Sequence, residues 1–163
     1  MLLASGLAAQ QVTESEALAL AFPGATLRRD EVELTTAQRD AAQKAAGHEV
    51  PARAVRHVAT KDGAVVGVGW IDVRKVRTHS QTLLVVIDPK GVVQRVEVLA
   101  FAEPKQYRPR PEFFAQFVGR SLDGDLQLRR AVRPVAGATM SAKAAVEAVR
   151  TVLALHGAIS VSP

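Results

Sequence analysis

Three observations predict an α+β fold in which an antiparallel β-meander carries helices on its surface. Residues 54–101 break into apolar runs of strand length. Tight-turn signals separate these runs. A single stretch near the C-terminus, residues 141–155, instead has a helical period.

At the N-terminal side, Thr13-Glu14-Ser15-Glu16 has capping-box spacing, and residues 17–22 continue it as a short helix stopped by Pro23 and Gly24. Thr35-Thr36-Ala37-Gln38 repeats the device, and Gly47 closes that second helix. Residues 54–60 read as a strand, Lys61-Asp62-Gly63 as a hairpin turn, and residues 64–73 as the returning strand with Gly67, Gly69 and Trp70. Residues 82–87 form an almost wholly apolar third strand. Asp88-Pro89-Lys90-Gly91 turns the chain into a fourth, residues 92–101. Their short connections imply antiparallel pairing. Pro111 suits the first position of a short helix. In the last helix Val146, Val149, Val152 and Leu153 share one face. Trp70 is expected in the core or on a sheet face. The run Arg74-Lys75-Arg77 is expected at a solvated edge that discourages pairing with another sheet.

The expected organisation is a single domain over residues 12–163, with a helical N-terminal part at 12–50 and a core at 54–156. Residues 1–11, MLLASGLAAQQ, resemble the tail of a secretory signal without its basic start. The chain has no cysteine, which excludes disulfides and thiolate metal sites. Its four histidines lack close ligand spacing, so no metal site is expected. A net charge of +5 admits an anionic partner or a phosphate-bearing ligand. Aromatic residues do not alternate with the basic runs, so a nucleic-acid partner is not expected.

The stretch Pro134 to Lys143, PVAGATMSAK, places small residues and hydroxyls where the last helix begins. A helix N-terminus exposes backbone N–H groups and a partial positive charge, which suits phosphate. Gly137 and Ala138 let backbone approach a ligand closely. Thr139 and Ser141 add hydroxyls, Ser141 doubling as a candidate N-cap. Arg133 and Lys143 add charge.

GATMSAKAAVEAV resembles the signature of the FMN-binding domain family, in which a Ser/Thr-Gly-Ala-Thr segment precedes a helix. That family includes flavin-carrying subunits of the sodium-pumping NADH:quinone reductase and of Rnf complexes, and the flavin domain of the nitrous oxide reductase regulator. Residues 76–107 resemble its central hairpin and following Glu-containing loop, and FFAQFVGRSLDGDL its lead into the signature. The likeness spans roughly residues 54–156. Two positions depart from the pattern. Arg133 stands where an Asp is usual and Ala136 where Ser or Thr is usual.

The resemblance implies an FMN-binding electron-transfer domain. Gly137, Ala138, Thr139, Met140 and Ser141 would hold the flavin phosphate, and a dedicated flavin transferase would esterify it to Thr139. Arg133, in place of the usual carboxylate, would instead pair with the phosphate, an arrangement that favours a non-covalent or differently tuned site as the alternative to the ester. Glu103 and Tyr107 would approach the isoalloxazine or ribityl chain, and Thr78, His79 and Thr82 its polar edge. The implied redox partner is a membrane quinone-linked complex or a cytochrome, and the implied location lies outside the cytoplasmic membrane. Without a triad, a carboxylate pair or a metal cluster, the domain is expected to carry electrons and not to be a catalyst by itself. A flavin-sensing module and a basic module for nucleic acid or acidic surfaces remain as alternatives.

Overall fold

The computed structural model describes residues 12–160; the signal-like segment 1–11 lies outside them. The elements are α1 (Glu14–Ala21), β1 (Thr26–Glu33), α2 (Thr36–Ala46), β2 (Arg53–Lys61), β3 (Ala64–Lys75), β4 (Ser80–Ile87), β5 (Val93–Phe101), a 3-10 turn at Lys105–Tyr107, α3 (Pro111–Ala115) and α4 (Thr139–Ala158). All five strands form one antiparallel sheet in the order β1-β2-β3-β4-β5. The fold is therefore the α+β meander, with helices on both faces.

One strand departs from the sequence reading, which leaves residues 12–50 wholly helical. Residues 26–33, TLRRDEVE, pair along their full length with β2, from Thr26 opposite Thr60 to Glu33 opposite Arg53. Charges occupy most of this strand because it is an edge with both faces half open. Opposite charges two residues apart lie on the same face of a strand. Arg28 accordingly reaches Asp30 at 2.9 Å, and Arg29 pairs with Glu31. A second correction concerns Arg74-Lys75-Arg77. Arg74 and Lys75 end β3, the central strand, Arg77 lies in the turn that follows, and the sheet edges are β1 and β5. Arg74 is tied to Asp72 at 2.7 Å and to Glu147 of α4 at 3.5 Å.

Side-chain alternation divides the core in two. Leu83, Val85 and Ile87 of β4 join Val68 and Trp70 beneath α4, α2 and α3. Leu84 and Val86 face the other way and meet Leu18 and Phe22 at α1. On that second face β3 offers bare backbone. A Cβ on Gly67 would stand 2.6 Å from Phe22 Cε1 and 3.0 Å from the Ile87 carbonyl oxygen, and one on Gly69 would stand 2.7 Å from Leu18 Cδ2. Both capping boxes predicted for α1 and α2 are formed, at Thr13/Glu16 and Thr35/Gln38. α2 ends on Gly47 at φ 81°, a left-handed conformation that glycine adopts without strain.

α4 runs antiparallel to β3. Trp70 Nε1 lies 3.4 Å from His156, whereas Arg74 reaches Thr151 at 3.2 Å and Glu147 further back along the helix. Burying each Val or Leu on its inner face contributes about 1.5–3 kcal/mol, so packing more than propensity holds α4. One polar group joins this seat. The Arg150 guanidinium is buried and donates to the carbonyls of Ala45 and Ala46 at the end of α2 and of Asp123 and Leu126 in the loop after α3. The α2 carbonyls carry the negative end of that helix's dipole, which suits a cation.

Both the bare glycine face and the buried guanidinium bear on stability. Gly67→Ala is expected to cost about 1–3 kcal/mol in urea unfolding, because the Ile87 backbone cannot retreat from the added methyl. Arg150→Met is expected to cost about 2–4 kcal/mol in the same measurement, since several buried carbonyls lose their donor at once.

Candidate functional site

The segment that leads to α4 is held from below by two side chains of the α3 region. Gln116 accepts from the Arg133 N–H at 2.8 Å and donates to the Arg133 carbonyl at 3.2 Å, copying a strand pairing with one carboxamide. Arg120 donates to the Gln116 and Ala131 carbonyls at 3.0 and 3.2 Å. The chain then passes through Gly137 at φ 76°, where an added Cβ would meet nothing within 4 Å. Glycine is required there by backbone conformation and not by crowding.

α4 starts at Thr139, two residues before the sequence reading places it, and its N-cap is Ala138. Ser141 is thus inside the helix and buried, not the cap. No side chain caps this end. Ala142 donates to the Ala138 carbonyl at 2.9 Å, so the amides of Thr139, Met140 and Ser141 precede the helical ladder. Gly137, Thr139 and Met140 are exposed, Ala138 is buried, and Lys143 and Arg133 stand exposed on either side. An open cleft of about 670 Å³ adjoins the segment, lined by Arg110, Phe113, Gln116, Arg120, Arg133 and Val135 among others.

Because α4 is antiparallel to β3, its N-terminus lies toward the β3–β4 turn and the end of β5. Thr139 is eight residues before Glu147, about 12 Å along the axis. At this end of the sheet stands Gln81, the second residue of β4, opposite Arg74 and Phe101. Its parity with Leu83 and Val85 puts it on the face that α4 covers. It is fully buried, and neither atom of its carboxamide has a partner among the described residues. An unpaired buried polar group costs about 1–3 kcal/mol. Sequence reading missed Gln81; a lone amide opening the run TLLVVI was the available signal.

The structure gives Glu103 a specific task. Its Oε1 accepts the backbone N–H groups of Thr78, His79 and Arg77 at 2.9, 3.1 and 3.2 Å, and Oε2 lies 3.6 Å from His79. One buried carboxylate therefore fastens the β3–β4 turn to the loop after β5. The Thr78 N–H, then that of His79, holds its pKa below the ordinary carboxylate value, against the opposing effect of burial. Tyr107 is half-buried, with the Arg77 guanidinium 4.9 Å from its ring centroid. Thr78 is exposed and bonded to His79 at 2.8 Å. Thr82 pairs with Val73 and Ala100, and its parity with Leu84 turns it to the α1 face, away from α4. Glu103, Tyr107 and Thr78 thus share one end of the molecule with the α4 entrance, whereas Thr82 is separated from it by the sheet.

A second cleft of about 590 Å³ lies beside the latter half of α4, around Trp70, Asp72, Thr151 and Leu155. It shares no residue with the entrance. Among the described residues no group of three or more His, Asp or Glu is placed to hold a metal ion, and no helix is long and apolar enough to cross a membrane. Compared with known proteins, the chain matches no family model, no curated protein and no solved structure.

Glu103→Gln is expected to loosen the β3–β4 turn in a pH-dependent way. A carboxylate whose folded pKa is depressed contributes stability above its unfolded value, near 4.5, and loses it as pH falls through the folded value. The variant should therefore unfold at lower urea than wild type at pH 7. The two curves should converge as pH drops below about 4.5.

Proposed function

We propose that the chain is an FMN-binding electron-transfer module whose flavin phosphate is held at the N-terminus of α4 and esterified to Thr139. One observation supports this reading above the others: α4 begins uncapped behind a left-handed Gly137, with the Thr139 side chain exposed. Such a terminus suits a phosphate, and free hydroxyl access suits a transferase. The orphaned carboxamide of Gln81 on the α4-covered face is a second sign that this end of the fold is built around a polar guest.

The residues fit the group in chemical kind. Thr139 supplies the ester oxygen. The amides of Met140 and Ser141, with Arg133 and Lys143, supply donors and charge for phosphate oxygens. Glu103 does not touch the cofactor in this reading. It fixes the turn that carries Thr78 and His79, while Tyr107, its face already taken by Arg77, braces the same turn. The flavin supplies the electron chemistry, and the protein's part is to bind, orient and present it to a redox partner outside the cytoplasmic membrane.

The test is coexpression with a flavin transferase, followed by denaturation. Retained yellow colour and an intact mass raised by one FMN less one water are expected for the wild type and for Thr139→Ser, and neither for Thr139→Ala. Protein that remains colourless and also fails to quench the fluorescence of added FMN would remove the assignment.

A further inference from the structure

We infer that the two loops stapled together by Glu103 form a docking surface for an acidic protein. Lys75 and Arg77 come from the β3–β4 side, and Lys105, Arg108 and Arg110 from the loop after β5; all five are exposed. None of the five has an ion-pair partner among the described residues. Residues 75–82 and 104–111 contain no acid at all. Of the carboxylates beside them, Glu103 is buried and bonded to backbone amides, Glu97 is paired with Arg95 at 2.8 Å, and Glu112 stands exposed just past Arg110, so five cations face a single exposed, unpaired acid.

The cluster is also held in shape. Glu103 joins the loops through three hydrogen bonds, and Arg77 lies on Tyr107. The 3-10 turn closes with Tyr107 and Arg108 donating to the Pro104 and Lys105 carbonyls, and Pro104, Pro109 and Pro111 stiffen the backbone between β5 and α3. A charged surface that needs no ordering on association loses little entropy when it docks. Its field speeds the encounter with an acidic partner by about 10–10³-fold at low salt.

Other anionic partners suit it less. The exposed large apolar side chains of the described residues are Leu20, Val66, Val73, Val118 and Met140, and none belongs to these two loops. A lipid bilayer would therefore find charge but no apolar anchor. Of the two aromatic rings in these loops, Tyr107 is covered by Arg77, and the His79 imidazole is held by Thr78 at 2.8 Å and lies 3.6 Å from Glu103, which leaves no run of free rings for successive bases. A folded acidic surface asks for neither.

The surface stands whether or not flavin is bound, so its test does not involve electron transfer. The full chain is titrated with poly-L-glutamate, with phosphatidylglycerol-containing vesicles and with oligo-dT. Two double variants of equal charge are compared: Lys105→Glu/Arg108→Glu within the surface, and Lys61→Glu/Lys90→Glu, at the exposed end of β2 and in the β4–β5 turn, at the opposite end of the sheet. Poly-L-glutamate is expected to bind best. The first variant should lose about tenfold in affinity and the second less than twofold, with urea midpoints unchanged in both, and added salt should weaken binding of the wild type. Equal losses in the two variants, or tighter binding of vesicles or oligo-dT than of poly-L-glutamate, would overturn the proposal.

Discussion

The Arg150 guanidinium reaches from the middle of α4 to carbonyls on two other segments and to no carboxylate among the described residues. An ion pair would satisfy the charge at one point. Carbonyl ligation spreads it over the end of α2 and the loop at 123–126, so three stretches of chain are located by one cation. Sliding α4 by a single turn would strand that cation in the core. The helix is thereby fixed along its axis, and its first residue, Thr139, is fixed with it. The position of the candidate site is set eleven residues away from the site.

With α4 so placed, the positive end of its dipole and the basic loops beyond β3 and β5 fall at the same end of the sheet. Glu103 is the one acid that joins these loops, and its carboxylate is taken up by backbone amides. It orders the loops and barely softens their field. Structure and electrostatics are thus separated: one carboxylate builds the scaffold, and the cations around it face outward. An anionic ligand at the helix entrance and an anionic partner on the loops would be favoured by the same field.

Much of this was legible in the residues, for identifiable reasons. Capping boxes announced α1 and α2 because reciprocal side-chain bonds need fixed spacing. Turn residues and apolar alternation announced β2 to β5. β1 was hidden because an edge strand open on both faces has no apolar alternation to show. Its trace was the opposed charges of Arg28/Asp30 and Arg29/Glu31, a two-residue spacing that pairs side chains in a strand and not in a helix. At the site, the small residues before α4 marked the helix entrance. The separation of Thr82 from it could not be read, because strand parity depends on a register that only the assembled sheet defines. The role of Glu103 was equally hidden, since its partners are backbone amides some 25 residues distant.

The single tryptophan of the chain lies at the far end of α4 from Thr139. Its indole is packed edge-on to His156, with ring centroids 6.4 Å apart, and beneath Arg56 at 5.7 Å. The intervening helix spans seventeen residues, about 26 Å. Trp70 is therefore an optical gauge built into the fold. Its emission tracks whether the tail of α4 remains seated against the sheet, and it reads that contact from a place remote from the helix entrance.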